Sequence, residues 1–92
     1  MRMIENGYVY EINEYGEKFQ IGKIAKLKLS IEHPEQLLGI SRVESLILCD
    51  EQGEELMNDQ DIVDNQEYHS DNELINEIAK HYNISKDLIC LV

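Results

Sequence analysis

The run AKLKLSIE, Ala25 to Glu32, alternates Ala25, Leu27, Leu29 and Ile31 with Lys26, Lys28, Ser30 and Glu32. Period two belongs to a strand with one face in a core, and this strand sends its lysines outward. A second run, DNELINEIAKHY from Asp71 to Tyr82, has another period: Leu74, Ile75, Ile78, Ala79 and Tyr82 fall on one helical face. Ser70 followed by Glu73 is a capping box, and Asn83 supplies a C-terminal stop, so a helix is predicted over 71–82. The two periods together predict an α+β fold, with a mostly antiparallel sheet of five or six short strands and one main helix packed on it.

Upstream of the first run, Tyr8, Tyr10 and Ile12 alternate with polar neighbours, as do Phe19 and Ile21. Between them, Asn13-Glu14-Tyr15-Gly16 offers an Asn to open a turn and a Gly for positive φ, which predicts a hairpin. Downstream, His33 to Gly39 reads as one short helical turn, with Pro34 in the first turn and Gly39 as the stop. Val43 to Cys49 puts Leu46 and Leu48 on one face and Ile47 and Cys49 on the other, so this strand is expected to be central and buried on both sides. Asp50-Glu51-Gln52-Gly53 is the next turn, and Glu54 to Met57 suits a charged edge strand. Residues 88–92 are predicted to return to the sheet as a buried strand. Asn58 to Ser70 has few apolar residues and four acids, the pattern of a mobile acidic loop within a single domain of residues 1–92.

Ninety-two residues build a modest core, and 42% apolar with 29% charged residues is the composition of a folded chain rather than a disordered acidic one. Cys49 and Cys90 lie far apart and form no metal-ligand or disulfide pattern, so both are expected to be reduced. MRMIENGYVY has no apolar run of signal-peptide length, and nowhere do eighteen apolar residues follow one another; a cytoplasmic protein without a membrane partner is expected. Abundant Ile, Asn, Lys and Tyr with scarce Ala, Arg and Pro fit an AT-rich genome, bacterial or phage.

Charge is segregated along the chain. Residues 1–42 carry six acids and six bases, whereas residues 43–92 carry thirteen acids against Lys80 and Lys86, which accounts for the whole net charge of −11. A one-signed field repels itself in a compact fold, so it serves solubility or a positively charged partner. An ordinary solvated helix intersperses both signs, whereas no Lys or Arg stands between Arg42 and Lys80. The expectation is a non-enzymatic protein-binding module, an inhibitor or nucleic-acid mimic, whose carboxylates occupy a basic site on a partner such as a nucleic-acid-binding protein. The expected contact residues are Glu51, Glu54, Glu55, Asp59, Asp61, Asp64, Glu67, Glu73 and Glu77.

Other patterns lead less far. His69, Glu73, Glu77 and His81 stand at four-residue steps and form a secondary candidate set for a divalent metal, though no metal or other cofactor is expected, because stable sites need three or four convergent ligands. Asp59, Asp61, Asp64 and Glu67 lack the residues that a calcium loop needs at its fifth, sixth and twelfth positions. IAKHYNISKDLI, from Ile78, has the cadence of a helix-turn-helix, but its setting is too acidic for direct contact with nucleic acid. Lys23, Lys26, Lys28 and Arg42 form the one basic neighbourhood and would suit the acidic half of a second copy. The alternative function is therefore a small structural or regulatory subunit, or a homodimer, joined through its sheet or helix, with acidity for solubility only; a His/Glu metal-binding protein is the second alternative. No Ser/His/Asp spacing, phosphate loop or activated Cys stands out in the sequence.

Overall fold

The computed structural model describes residues 1–36, 38–59 and 67–92, and the fold is α+β. Strands β1 (Arg2–Glu5), β2 (Tyr8–Ile12) and β3 (Lys18–Lys23) form an antiparallel sheet in that order. A second sheet has the order β6-β5-β4-β8, built from β4 (Lys26–Glu32), β5 (Ser41–Cys49), β6 (Glu55–Asn58) and β8 (Ile89–Leu91). The short β7 (Glu67–Tyr68) also pairs with β5, and every pairing is antiparallel except β4 with β8. The α+β fold with mostly antiparallel pairing is as expected, with eight strands in two sheets among the described residues where the sequence reading counted five or six. The single α-helix among the described residues, α1 (Asp71–Tyr82), has the predicted bounds, and it is not long and apolar enough to cross a membrane.

Two hairpins are closed by the same chemistry. Asn13 Oδ1 accepts from the N–H groups of Tyr15 and Glu17, both at 2.9 Å, and Asp50 Oδ1 accepts from Gln52 and Glu54 at the same distance. Gly16 and Gly53 then take φ of 80° and 82°, a left-handed conformation that costs a Cβ-bearing residue free energy. A third turn, Asn6-Gly7, joins β1 to β2 with positive φ at both residues, which is the type I′ geometry of a two-residue hairpin.

The chain crosses between sheets at Ile24 and Ala25. The Ile24 N–H goes to Gly7 C=O at 2.8 Å and the Ala25 N–H to Cys49 C=O at 2.9 Å, so adjacent amides serve different sheets. The small sheet packs over the Leu56 region: the Arg2 guanidinium donates to Leu56 C=O, and a Cβ at Gly22 would lie 3.0 Å from Leu56 Cδ2. Val9, Ile24, Leu27, Leu29, Val43, Leu46, Leu48 and Leu56 belong to one core that Leu74, Ile78 and Tyr82 of α1 complete.

A bulge in β5 accounts for a departure from the sequence reading. Ser30 pairs with Ser45 but Ile31 with Val43, so Glu44 is the extra residue. The inward positions therefore change phase, from Ser41 and Val43 to Leu46 and Leu48. The strand is central as expected, but Ser45 and Ile47 are only half-buried, so the second face is not sealed.

Three further expectations differ from the structure. Residues 35–36 and 38–39 form turns rather than a helical turn, Leu37 lying outside the described residues. β8 is an edge strand, and Val92 beyond it is 77% exposed, because a parallel pairing on one side alone leaves its other side open. Ser85 caps a 3₁₀ turn, Lys86–Leu88, after which the chain continues as β8 and not as a second helix. The predicted loop 58–70 is structured at both ends: Asn58 ends β6, Glu67 and Tyr68 form β7, and Ser70 caps α1, while positions 60–66 of that predicted loop lie outside the described residues.

Both cysteines are free, Cys49 buried and Cys90 half-buried. The two ends of α1 are closed by different groups. Ser70 Oγ accepts from the Glu73 N–H at 3.1 Å, and the Glu73 carboxylate accepts from the His69 N–H at 3.1 Å, so the reciprocal bond of the cap goes one residue outside the usual position. At the other end Asn83 adopts φ 55° and closes the helix through its N–H.

Candidate functional site

The predicted contact carboxylates that fall among the described residues do not share one surface. Glu51 and Glu54 lie on the β5–β6 turn and Glu55 opens β6, all exposed. Glu67, Glu73 and Glu77 are exposed at the other end of β5, where β7 pairs with Ser41 and Arg42. The nine residues of β5 separate these ends by about 26 Å at the usual strand rise. Asp61 and Asp64 lie outside the described residues.

Asp59 is buried rather than exposed with the other carboxylates. It is 8% exposed, accepts a hydrogen bond from the Tyr82 hydroxyl, and its N–H goes to Leu46 C=O at 3.0 Å. A carboxylate in this position satisfies a buried phenol and anchors the C-terminal end of α1 to the sheet. The polar composition of its surroundings in sequence concealed this, because burial depended on Tyr82, 23 residues away.

The second group is a cluster around Tyr68. Burial raises the Tyr68 pKa, and the Glu77 and Glu73 carboxylates raise it further. Among the described residues, Glu67, Glu73 and Glu77 have no cation within ion-pair distance, even though Arg42 stands across from Glu67 in the β5–β7 register. The small sheet behaves differently: the Met1 ammonium and Arg2 pair with Glu11 at 3.7 and 3.3 Å, and Lys18 pairs with Glu5 at 3.0 Å while lying 4.6 Å from the Tyr10 ring centre.

The secondary metal set does not converge. Among the described residues no group of three or more His, Cys, Asp or Glu is arranged to hold a metal ion. The His69 backbone is tied to Glu73, and the His81 ring meets Tyr82 edge-on with centroids 4.8 Å apart.

A constellation that the sequence did not reveal lies beside the acidic cluster. Asp71 Oδ1 accepts from Ser41 Oγ at 2.6 Å and stands 2.8 Å from His33 Nε2. The pairing of Glu32 with Arg42 brings His33 and Ser41 to the same end of the sheet, and the first residue of α1 completes the group. The Ser41 hydrogen bond, followed by that of His33, holds the Asp71 carboxyl below the usual carboxylate range, against a smaller effect of burial. Ser41 donates to the Asp71 carboxylate rather than to the His33 imidazole, so the three residues form a doubly supported carboxylate and not the serine–imidazole–carboxylate order of a catalytic triad. These groups line a cleft of about 440 Å³ together with Pro34, Leu38 and Ile40. Leu38, at the cleft, is 91% exposed.

No protein-family model, curated protein or solved structure matches the chain.

Proposed function

We propose that the protein is a non-enzymatic acidic binding module that occupies a basic site on a partner protein, as an inhibitor or nucleic-acid mimic acting in the cytoplasm. The observation that carries this reading is the set of Glu73 and Glu77 beside Tyr68 and Glu67 next to it in β7, all three carboxylates exposed and without a cation in ion-pair range among the described residues. Carboxylates on a capped helix and a paired strand are held at set spacings. Ordering them costs less on binding than ordering a disordered tail. A cleft built for phosphates relies on sequence-independent electrostatics, and fixed carboxylates compete for it by steered encounter and by pairing with Arg and Lys.

The test is competition. A panel of basic DNA-binding proteins bound to labelled duplex DNA is titrated with this protein at low and high salt. Displacement that weakens steeply with salt is expected for at least one member, and the Glu67→Gln, Glu73→Gln, Glu77→Gln triple variant should lose it. Displacement that survives the triple variant or high salt would refute the electrostatic reading.

The exposed Phe19 favours the alternative of a subunit joined through a sheet face, while the edge of the same strand is guarded against strand pairing. β3 is an edge strand with Phe19 53% exposed and Lys18 and Lys23 near its ends. Lysines and a bulge at an edge oppose strand-to-strand association, and β3 carries both. Sedimentation equilibrium separates the readings: the acidic-module reading expects a monomer, and the subunit reading a dimer abolished by Phe19→Glu.

A further inference from the structure

We infer that the cleft at the start of α1 seats an arginine side chain of the basic partner, with Asp71 as the carboxylate that receives it; this rests on the acidic face being a partner-binding surface. The cleft combines two surfaces that an arginine needs. Pro34, Leu38 and Ile40 offer apolar contact to the aliphatic stem, and Asp71 offers charge to the guanidinium. Both bonds that support Asp71 fall on Oδ1, and its Oδ2 carries no hydrogen bond among the described residues. That oxygen is free to accept. Because Ser41 is buried and holds the carboxylate at 2.6 Å, the acceptor is fixed before a ligand arrives.

Glu35 and Asp71 line the cleft beside His33 and His69, and the chain carries a net charge of −11, so with both imidazoles neutral a cation is favoured over an anion. His69 and Ser70 line it too, and the His69 N–H bonds the Glu73 carboxylate, so the cleft adjoins the acidic cluster without a gap. A volume of about 440 Å³ is within the range of ligand sites and accommodates a single long side chain. Interfaces typically concentrate their free energy in such anchors, with Arg among the commonest, while the surrounding charges steer encounter.

The probe is N-acetyl-L-arginine methylamide, titrated at pH 8 and low salt into the full chain labelled with ¹⁵N, with N-acetyl-L-norleucine methylamide as the apolar control. Saturable amide shifts are expected at Leu38, Ser41, Ser70 and Asp71 with the arginine probe, and none with norleucine. Asp71→Asn should weaken the arginine probe at least about tenfold, the loss expected for one charge-assisted bond. Glu35→Gln, away from the helix cap, should weaken it by a smaller factor and keeps the test open if Asp71→Asn disturbs the fold. Shifts that are absent, that norleucine reproduces, or that persist unchanged in both variants would overturn the assignment. Failure of the acidic-face reading is distinguishable: an oligoarginine peptide would then bind the Glu67/Glu73/Glu77 triple variant as well as wild type, whatever the single-residue probe shows at the cleft.

Discussion

The small sheet of β1 to β3 and the half built from β5 to α1 use the same local devices but treat charge in opposite ways. Asn13-Gly16 and Asp50-Gly53 close their hairpins with matching hydrogen bonds and matching glycine conformations. In the small sheet, Glu5 and Glu11 find cations. In the other half the exposed Glu51, Glu54, Glu55, Glu67, Glu73 and Glu77 find none in ion-pair range among the described residues. The fold therefore does not require the acidity. Apart from Glu73, which accepts from the His69 N–H at the helix cap, neutral residues at those exposed positions would leave the turns and the core unchanged, and this is the ground for proposing a partner.

The largest effect that tests this contrast is in the core beneath the acidic helix. Leu74→Ala should cost about 2–5 kcal/mol in denaturant unfolding, whereas Phe19→Ala on the exposed face of the small sheet should stay within about 0.5 kcal/mol. Equal losses would show that the small sheet contributes as much packing as the helix. Next in size, Gly16→Ala and Gly53→Ala should each cost about 1–2 kcal/mol, since a Cβ meets nothing within 4 Å at either site and only the positive φ penalises it. Similar values would confirm that the turn chemistry is indifferent to the charge around it.

Ser70→Ala removes the acceptor for the Glu73 N–H and should cost about 1 kcal/mol. The smallest change has the opposite sign. Glu77→Gln relieves a like-charge pair with Glu73 one helical turn away and should stabilise the fold by a few tenths of a kcal/mol. The same variant should lower the titration of Tyr68, followed by phenolate absorbance. The folded-state pKa of Tyr68 is raised, so the stability it contributes is present below pH 10 and is lost as pH rises through that raised value. Glu77→Gln should bring that loss to lower pH, and an unmoved transition would remove Glu77 from the cluster.

Local chemistry is legible in the sequence. The alternation at Lys26–Glu32, the cap at Ser70 and both Asn/Asp-to-Gly turns form as their residues dictate. Asn6-Gly7 is a strong short hairpin signal as well, but the alternation that marks a strand starts at Tyr8, so β1 escapes a reading by period alone. Long-range consequences are not legible. The bulge at Glu44 re-phases β5 only because β4 continues to pair beyond it, and Asp59 is buried only because Tyr82 arrives from the far end of the helix. His33, Ser41 and Asp71 meet across 30 and 38 residues, a contact that no spacing rule reports, although the meeting of His33 and Ser41 follows once β4 is known to pair with β5. The segregation of charge is plain from the residues, but its division between two ends of β5 requires the fold.

The central claim is that the carboxylates around Tyr68, rather than acidity at large, meet the basic partner. The most direct measurement compares the salt dependence of binding to an oligoarginine peptide for wild type, for Glu67→Gln/Glu73→Gln/Glu77→Gln and for Glu51→Gln/Glu54→Gln/Glu55→Gln, two variants with the same change in net charge. The account predicts a marked loss of affinity and a shallower salt slope in the first triple, with the second close to wild type. Equal losses in both triples would show that net charge alone is at work and would contradict the claim.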